Sequence, residues 1–333
     1  MAKGYNPTEY MYSSARIRAL ETKIASRERL FHFADADSAD TVLAQLADFG
    51  FETVKDGDSI LREETLESVL KAGYAEVASM ECAKAVQFLK YQYDANNIKA
   101  MIKCASRGIS PDGMLLDLGS VSIPEAKRAF DDKDYSSYPV NMAEAIGEAE
   151  EAFAATANPQ KIDFIIDRAC FADILAEVQA SGIELARKLA TAKIDLVNIM
   201  MTLRVMRMHL GSTAEGVLTE AYIEGGSRSL EFYLAALRGG EDIFSEALSR
   251  GAYERISEGI SAGESLSLLE KKADDLWFEV AKEAKRITFG AEIAIGYIVA
   301  LEYEVKNARI ILAGKDAGLS PDIIKERLRE CYA

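Results

Sequence analysis

Three pairs of side chains in this 333-residue chain could do chemistry: Asp94 with Asn97, Asp195 with Asn198, and Glu304 with Asn307. In each pair the acid precedes the amide by three residues, which places both on one face of a helix. A carboxylate beside an amide can ligate a metal ion or act in acid–base catalysis. It can equally form a polar knot that ties a long helix to its neighbours. The flanking residues favour the knot. Phe88, Tyr91, Ile98 and Met101 surround the first pair, Ile194, Ile199, Met200 and Leu203 the second, and Ile298, Leu301 and Ile310 the third. Polar groups in such surroundings need partners, since an unpaired buried polar group costs roughly 1–3 kcal/mol. Other segments offer basic partners such as Arg16, Arg18 and Arg168.

The pairs belong to a longer repeated pattern. Tyr93, Asp94, Asn97, Lys99, Gly108, Ile109, Ser110, Pro111 and Asp112 recur, at an offset of 210 residues, as Tyr303, Glu304, Asn307, Arg309, Gly318, Leu319, Ser320, Pro321 and Asp322. Six of these positions are identical and none is shifted by a gap. A weaker copy, Asp195, Asn198 and Ile199, lies between them and reaches its glycine late, at Gly211-Ser212. A unit of this length exceeds ordinary solenoid repeats, so three linked helical subdomains are expected. Their ranges are 1–115, 116–215 and 216–333.

The elements that carry these residues read as helices. Pro7 to about Ala25 shows helical apolar spacing, and Ser38 to Phe49 is a short amphipathic helix stopped by Gly50. Turn chemistry fills Phe51 to Arg62, with Asp56-Gly57-Asp58 at its centre. One helical pattern then runs from about Leu66 to Arg107 and closes at Gly108. Ser122 to Phe130 restarts a helix, with Pro124 in its first turn. Residues 134–160 hold Asp134, Glu144, Glu148, Glu150 and Glu151 without a lysine or arginine, the composition of a solvated face. Lys161 to Met208 is helical with a break near Ala180-Ser181-Gly182. Gly225-Gly226 and Gly239-Gly240 mark loops, Ser265 to Gly314 forms two more helices, and Ser320-Pro321 starts a last one running to about Cys331. No segment alternates with period two long enough for a sheet, so the fold class is all-α.

Composition narrows the function. The net charge of −15 argues against nucleic acid and against docking on anionic lipid, both of which require basic patches. Met1 to Arg18 lacks the apolar core of a leader, and the cleanest apolar run, Ile293 to Leu301, is half of a membrane span. Cys331 stands at the wrong spacing for a lipid anchor. The four cysteines and two histidines show no metal-ligand spacing, and no nucleotide or hydrolase motif is present. No cofactor is therefore expected. Asp131-Asp132-Lys133-Asp134-Tyr135 and Asp274-Asp275 are the remnants on which an all-helical, metal-dependent enzyme acting on diphosphates would have to rest. The fifth residue of the first run is Tyr135 where that chemistry wants an Asp.

Taken together and in order, several blocks resemble one family. The opening Tyr12-Ser13-Ser14-Ala15-Arg16-Ile17-Arg18-Ala19-Leu20-Glu21 with Ser26-Arg27-Glu28 is similar to the start of the C subunit of prokaryotic V-type (A/V-type) ATPases, the counterpart of the d subunit in vacuolar pumps. The blocks at Tyr93–Lys99, Asp195–Ile199 with Leu203-Arg204, and Phe289-Gly290-Ala291-Glu292 through Glu304, Asn307 and Arg309 to Leu328-Arg329 fit as well. The resemblance covers the chain from about residue 8 but carries little in residues 205–260. It implies three similar helical bundles arranged as a pseudo-threefold funnel, without catalysis. That funnel would sit on the cytoplasmic face of the membrane, as a peripheral part of the complex. It would couple the central-stalk subunits to the proteolipid ring for ion transport, and the isolated chain would be monomeric. A helical scaffold outside any pump is the other structural alternative.

Overall fold

The computed structural model describes residues 6–47 and 59–332, and among these every regular element is helical. Local signals set most helix ends. Asn6 caps a 3-10 turn at Pro7–Tyr10 that runs into α1 (Met11–Glu21). Ser26 and Ser38 cap α2 (Arg27–Asp35) and α3 (Ala39–Leu46), each accepting from the N–H three residues on. The expected stop at Gly50 and the turn at Asp56-Gly57-Asp58 lie outside the described residues.

Helix α4 (Ser59–Ala78) begins before the predicted start near Leu66 and ends well before Arg107. A break at 79–86, including a 3-10 turn at Ala83–Val86, separates it from α5 (Gln87–Arg107). No glycine or proline marks that break. The Ser79 hydroxyl folds back onto the Glu76 carbonyl at 2.7 Å, and the Glu81 carboxylate accepts from the Ser13 N–H at 3.2 Å. These local and tertiary bonds replace the next helical turn.

The helices α6 (Ile123–Asp132), α7 (Val140–Thr156), α8 (Pro159–Ser181), α9 (Glu184–Arg207) and α10 (Ala214–Ala221) follow closely. Next come α11 (Leu230–Leu248), α12 (Glu254–Ser261), α13 (Leu266–Ala281), α14 (Glu292–Asp316) and α15 (Pro321–Arg327). The predicted break at Gly182 is real: the residue takes φ +66° between α8 and α9. Gly239-Gly240 is a kink and not a loop. Gly240 adopts φ 83°, ψ 179° inside α11, a conformation that glycine reaches without steric cost. The last helix stops at Arg327 and not near Cys331.

The chain divides into two compact units, residues 87–269 and residues 1–86 with 270–333. In the latter, α14 packs against α1, α2, α3, α4 and α15. Its stretch from Ile293 to Leu301 is buried on every side. The run that looked like half a membrane span is thus a central core helix. Among the described residues no helix is long and apolar enough to cross a membrane. In residues 87–269, α8 packs against α5, α7 and α9, and α11 packs against α9 and α12. Asp173 of α8 caps α7, whose own N-cap is Pro139: it accepts from the backbone N–H groups of Asn141 and Met142 at 3.0 and 2.9 Å.

Candidate functional site

The helices carrying the three acid–amide pairs end alike. Gly108 after α5 and Gly318 after α14 adopt φ +64° and +65°. Each is the left-handed residue of a Schellman closure, with bonds from Gly108 and Ile109 to Ala105 and Cys104, and from Gly318 and Leu319 to Lys315 and Gly314. After α9 the left-handed position belongs to His209, at φ 52°, exposed and held by the Met206 carbonyl. Histidine tolerates this conformation better than most residues. The glycine signal therefore slips to Gly211 in the middle copy.

All six paired residues are buried, between 1 and 5 % exposed. The three amides do the same thing. Asn97 donates to the Leu116 carbonyl and accepts from the Leu116 N–H, both at 2.8 Å. Asn198 holds Ile223 in the same way, at 2.8 and 3.0 Å. Asn307 holds Arg329, at 3.3 and 2.8 Å. Each amide thus satisfies both backbone groups of one non-helical residue further along the chain. This is the exchange that two residues make in a hydrogen-bonded strand pair.

The acids extend the grip in the first two copies. Asp94 accepts from the Ser120 N–H (3.0 Å) and hydroxyl (2.5 Å) and from the Val121 N–H (3.1 Å). Asp195 accepts from the Ser227 N–H (2.7 Å) and hydroxyl (2.6 Å) and from the Tyr253 hydroxyl (2.7 Å). Both serines lie four residues beyond the clamped residue, and each follows a glycine. A Cβ on Gly119 would stand 2.2 Å from Asp94 Oδ1, and one on Gly226 would stand 2.4 Å from Asp195 Oδ1. Only glycine lets the backbone approach so closely. In the third copy Glu304 turns elsewhere and accepts from the Ala25 N–H at 2.7 Å.

Burial sets the titration of two of these acids. It pushes the Asp94 carboxyl upward, while the donors on Ser120 and Val121 pull the other way. Glu304 has only the Ala25 N–H to offset its burial, and its pKa rises to about 7.

The arginines expected to serve these acids serve others. Arg16, exposed, pairs with Glu76 at 2.5 Å and donates to the Tyr12 hydroxyl. Arg18 pairs with Glu21 at 2.7 Å and donates to the carbonyls of Ala284 and Ile287. Arg168 donates to the Glu220 carbonyl and approaches Glu148. In the first two pairs the reason is stoichiometric: backbone N–H groups and hydroxyls already occupy both oxygens of Asp94 and Asp195. The acids also stay with their own clamps, and no hydrogen bond joins one pair to another among the described residues.

The two acidic runs have structural tasks too. Asp274 binds Lys306 at 2.5 Å and Arg329 at 2.8 Å, and Asp275 binds Lys271 and the Glu330 N–H. Asp134 accepts from the Ser136 N–H, and Lys133 is the left-handed C-cap of α6. Among the described residues no three acid, histidine or cysteine side chains are arranged to hold a metal ion. All four cysteines are buried thiols.

The elements define an all-helical protein whose buried acids and amides are committed to its own backbone. The chain belongs to the ATP synthase (C/AC39) subunit family, whose sequence profile matches residues 13–327. It is 26 % identical to the C subunit of the V-type sodium ATPase of Enterococcus hirae, over 97 % of this chain and 99 % of that one. It is 24 % identical to the C subunit of the A-type ATP synthase of Methanocaldococcus jannaschii, over 96 % and 86 %. It is 22 % identical to the corresponding protein of Thermococcus kodakarensis, over 97 % and 91 %.

Proposed function

We propose that this chain is the non-catalytic rotor element that couples the central stalk of a V/A-type ATPase to its membrane proteolipid ring. Family membership across nearly the whole chain carries this reading. The clamp geometry supports it, because the acids and amides that looked most able to do chemistry hold backbone instead. The recurrence of one clamp in three places supports three related helical repeats, which the reading sets at residues 1–115, 116–215 and 216–333, with the first two clamps reaching across the boundaries, and the same family reading arranges them as a pseudo-threefold funnel. The protein works at the cytoplasmic face as a peripheral part of the complex. It needs no cofactor and is a monomer when isolated. With a charge of −15 it is repelled by anionic lipid, so the ring's polar loops and not headgroups would hold it.

The test is a rotary complex reconstituted with and without this chain. Omission should leave ATP hydrolysis by the soluble head but abolish ATP-driven ion transport. Normal transport without the chain would refute the reading, as would tight binding of the isolated chain to protein-free anionic vesicles.

A further inference from the structure

A groove of about 910 Å³ opens in the unit of residues 87–269, between α7 and the α10 end with the loop that follows it, over the outer face of α8. Its floor is low and apolar: Ala172 and Ala176 are exposed on α8, with Leu175 half-buried between them. Its walls are acidic. Glu144 and Glu148 project from α7, and Glu224 stands on the far side beyond Tyr222. Arg168, the cation of this lining, is already engaged by the Glu220 carbonyl and Glu148. The exposed carboxylates of Glu144 and Glu224 have no ion-pair partner among the described residues.

We propose that this groove seats a helix of a partner protein that carries lysine or arginine on both sides of a narrow apolar stripe. Shape and charge each support this. A helix with its side chains is about 10 Å across, and an open groove of this size over the low floor of α8 admits one face of it. Alanines on the floor leave room for the incoming backbone, while Leu175 and Tyr222 offer apolar contact. Free carboxylates on both walls select a helix with cations on both flanks, and they favour association by electrostatic steering. A second copy of this chain fits poorly, because two bodies of charge −15 repel.

This proposal rests on the reading that the chain works inside a rotary complex. The test places a photo-cross-linking amino acid at Ala172 and, as a control, at Glu151, which is exposed on α7 but outside the groove. Each variant is purified within the intact complex and the linked peptides are sequenced. The Ala172 probe should link to a basic helical segment of another protein of the complex, and the Glu151 probe should not. The double substitution Glu144→Lys with Glu224→Lys should lower retention in the complex at least tenfold, and Ala176→Trp should do the same by filling the floor. Glu151→Lys should leave retention unchanged, and circular dichroism melts should show all three variants folded. Links from Ala172 to a second copy of the chain, to a segment without basic residues, or to nothing would overturn the proposal. So would wild-type retention of both groove variants. If the wild-type chain itself is absent from the complex, the coupling reading falls and the groove proposal falls with it. If it is retained but linked elsewhere, the groove proposal falls alone.

Discussion

Replacing one clamp amide tests the main structural claim, and Asn97 comes with its own control. Asn96, next to it on α5, is exposed, so Asn96→Leu changes the same chemistry without touching a clamp. Asn97→Leu removes two hydrogen bonds to Leu116, each worth roughly 0.5–1.5 kcal/mol net. It also strands the N–H and C=O of Leu116, at a further 1–3 kcal/mol or so if water cannot reach them. Leu116 is half-buried, so water recovers part of that loss and the expected cost is about 2 kcal/mol. The second copy is harsher, because Asn198 and Ile223 are both buried. Asn198→Leu should therefore cost about 3 kcal/mol or more. Asn96→Leu should stay within about 0.5 kcal/mol of wild type.

Urea titration gives the order of stabilities, and thermal melts should fall by roughly 4–8 °C for Asn97→Leu. Hydrogen exchange localises the effect: the amide of Leu116 should lose protection in Asn97→Leu and keep it in Asn96→Leu. Equal stability of the two variants, or unchanged exchange at Leu116, would show that the amide is not a clamp. A variant that keeps its melting temperature yet loses coupling in a reconstituted complex would assign Asn97 to partner contact instead.

The remaining predictions concern the other members of the clamps. Gly119→Ala and Gly226→Ala force a Cβ against a buried carboxylate and should each destabilise by about 1–3 kcal/mol, read by denaturant midpoint. Gly147→Ala, on the exposed side of α7 with open space around it, should instead stabilise by about 0.5–1 kcal/mol, and the opposite sign at either place would undo the packing argument. For Glu304 the folded pKa of about 7 lies above the ordinary 4.5, so its contribution is fully present below about pH 4.5 and is lost as pH rises through about 7. Glu304→Gln should therefore gain stability over wild type above pH 7, by on the order of 2–3 kcal/mol, and lose that advantage near pH 4; a pH-independent difference between the two proteins would refute this.

The helical class, the break at Gly182 and the helix starts at Ser38, Ser122 and Ser320 can be read from sequence because each depends on neighbours within a turn. The acid–amide pairs can be read for the same reason, being three residues apart on one helix. Their partners could not be found that way. Clamped residues lie 19, 25 and 22 positions beyond their amides, so no fixed spacing links the two halves. The recurring dipeptides Gly119-Ser120 and Gly226-Ser227 were the available signal. The end of α15 failed for a related reason. Asn307 takes both backbone groups of Arg329, and Asp275 takes the Glu330 N–H. A helix through Cys331 would need those groups for itself. Arg16, Arg18 and Arg168 misled because a sequence shows charged partners more readily than backbone ones.

Three buried acid–amide pairs spend polar side chains on holding the protein's own backbone. Their value is in register. An amide that pairs with both the N–H and the C=O of one residue cannot slip to the next, because in extended backbone the neighbouring residue points both groups the opposite way. A purely apolar contact between the same segments would tolerate such a slip at little cost. The glycine and serine that follow in the first two copies add a second fixed point four residues on. Pairing that is fully satisfied and buried admits one arrangement and makes every other one costly. A part that carries force between two larger bodies, as proposed for this chain, must not creep under load. On that proposal the clamps would supply the resistance where the long helices α5, α9 and α14 meet the non-helical segments at Leu116, Ile223 and Arg329.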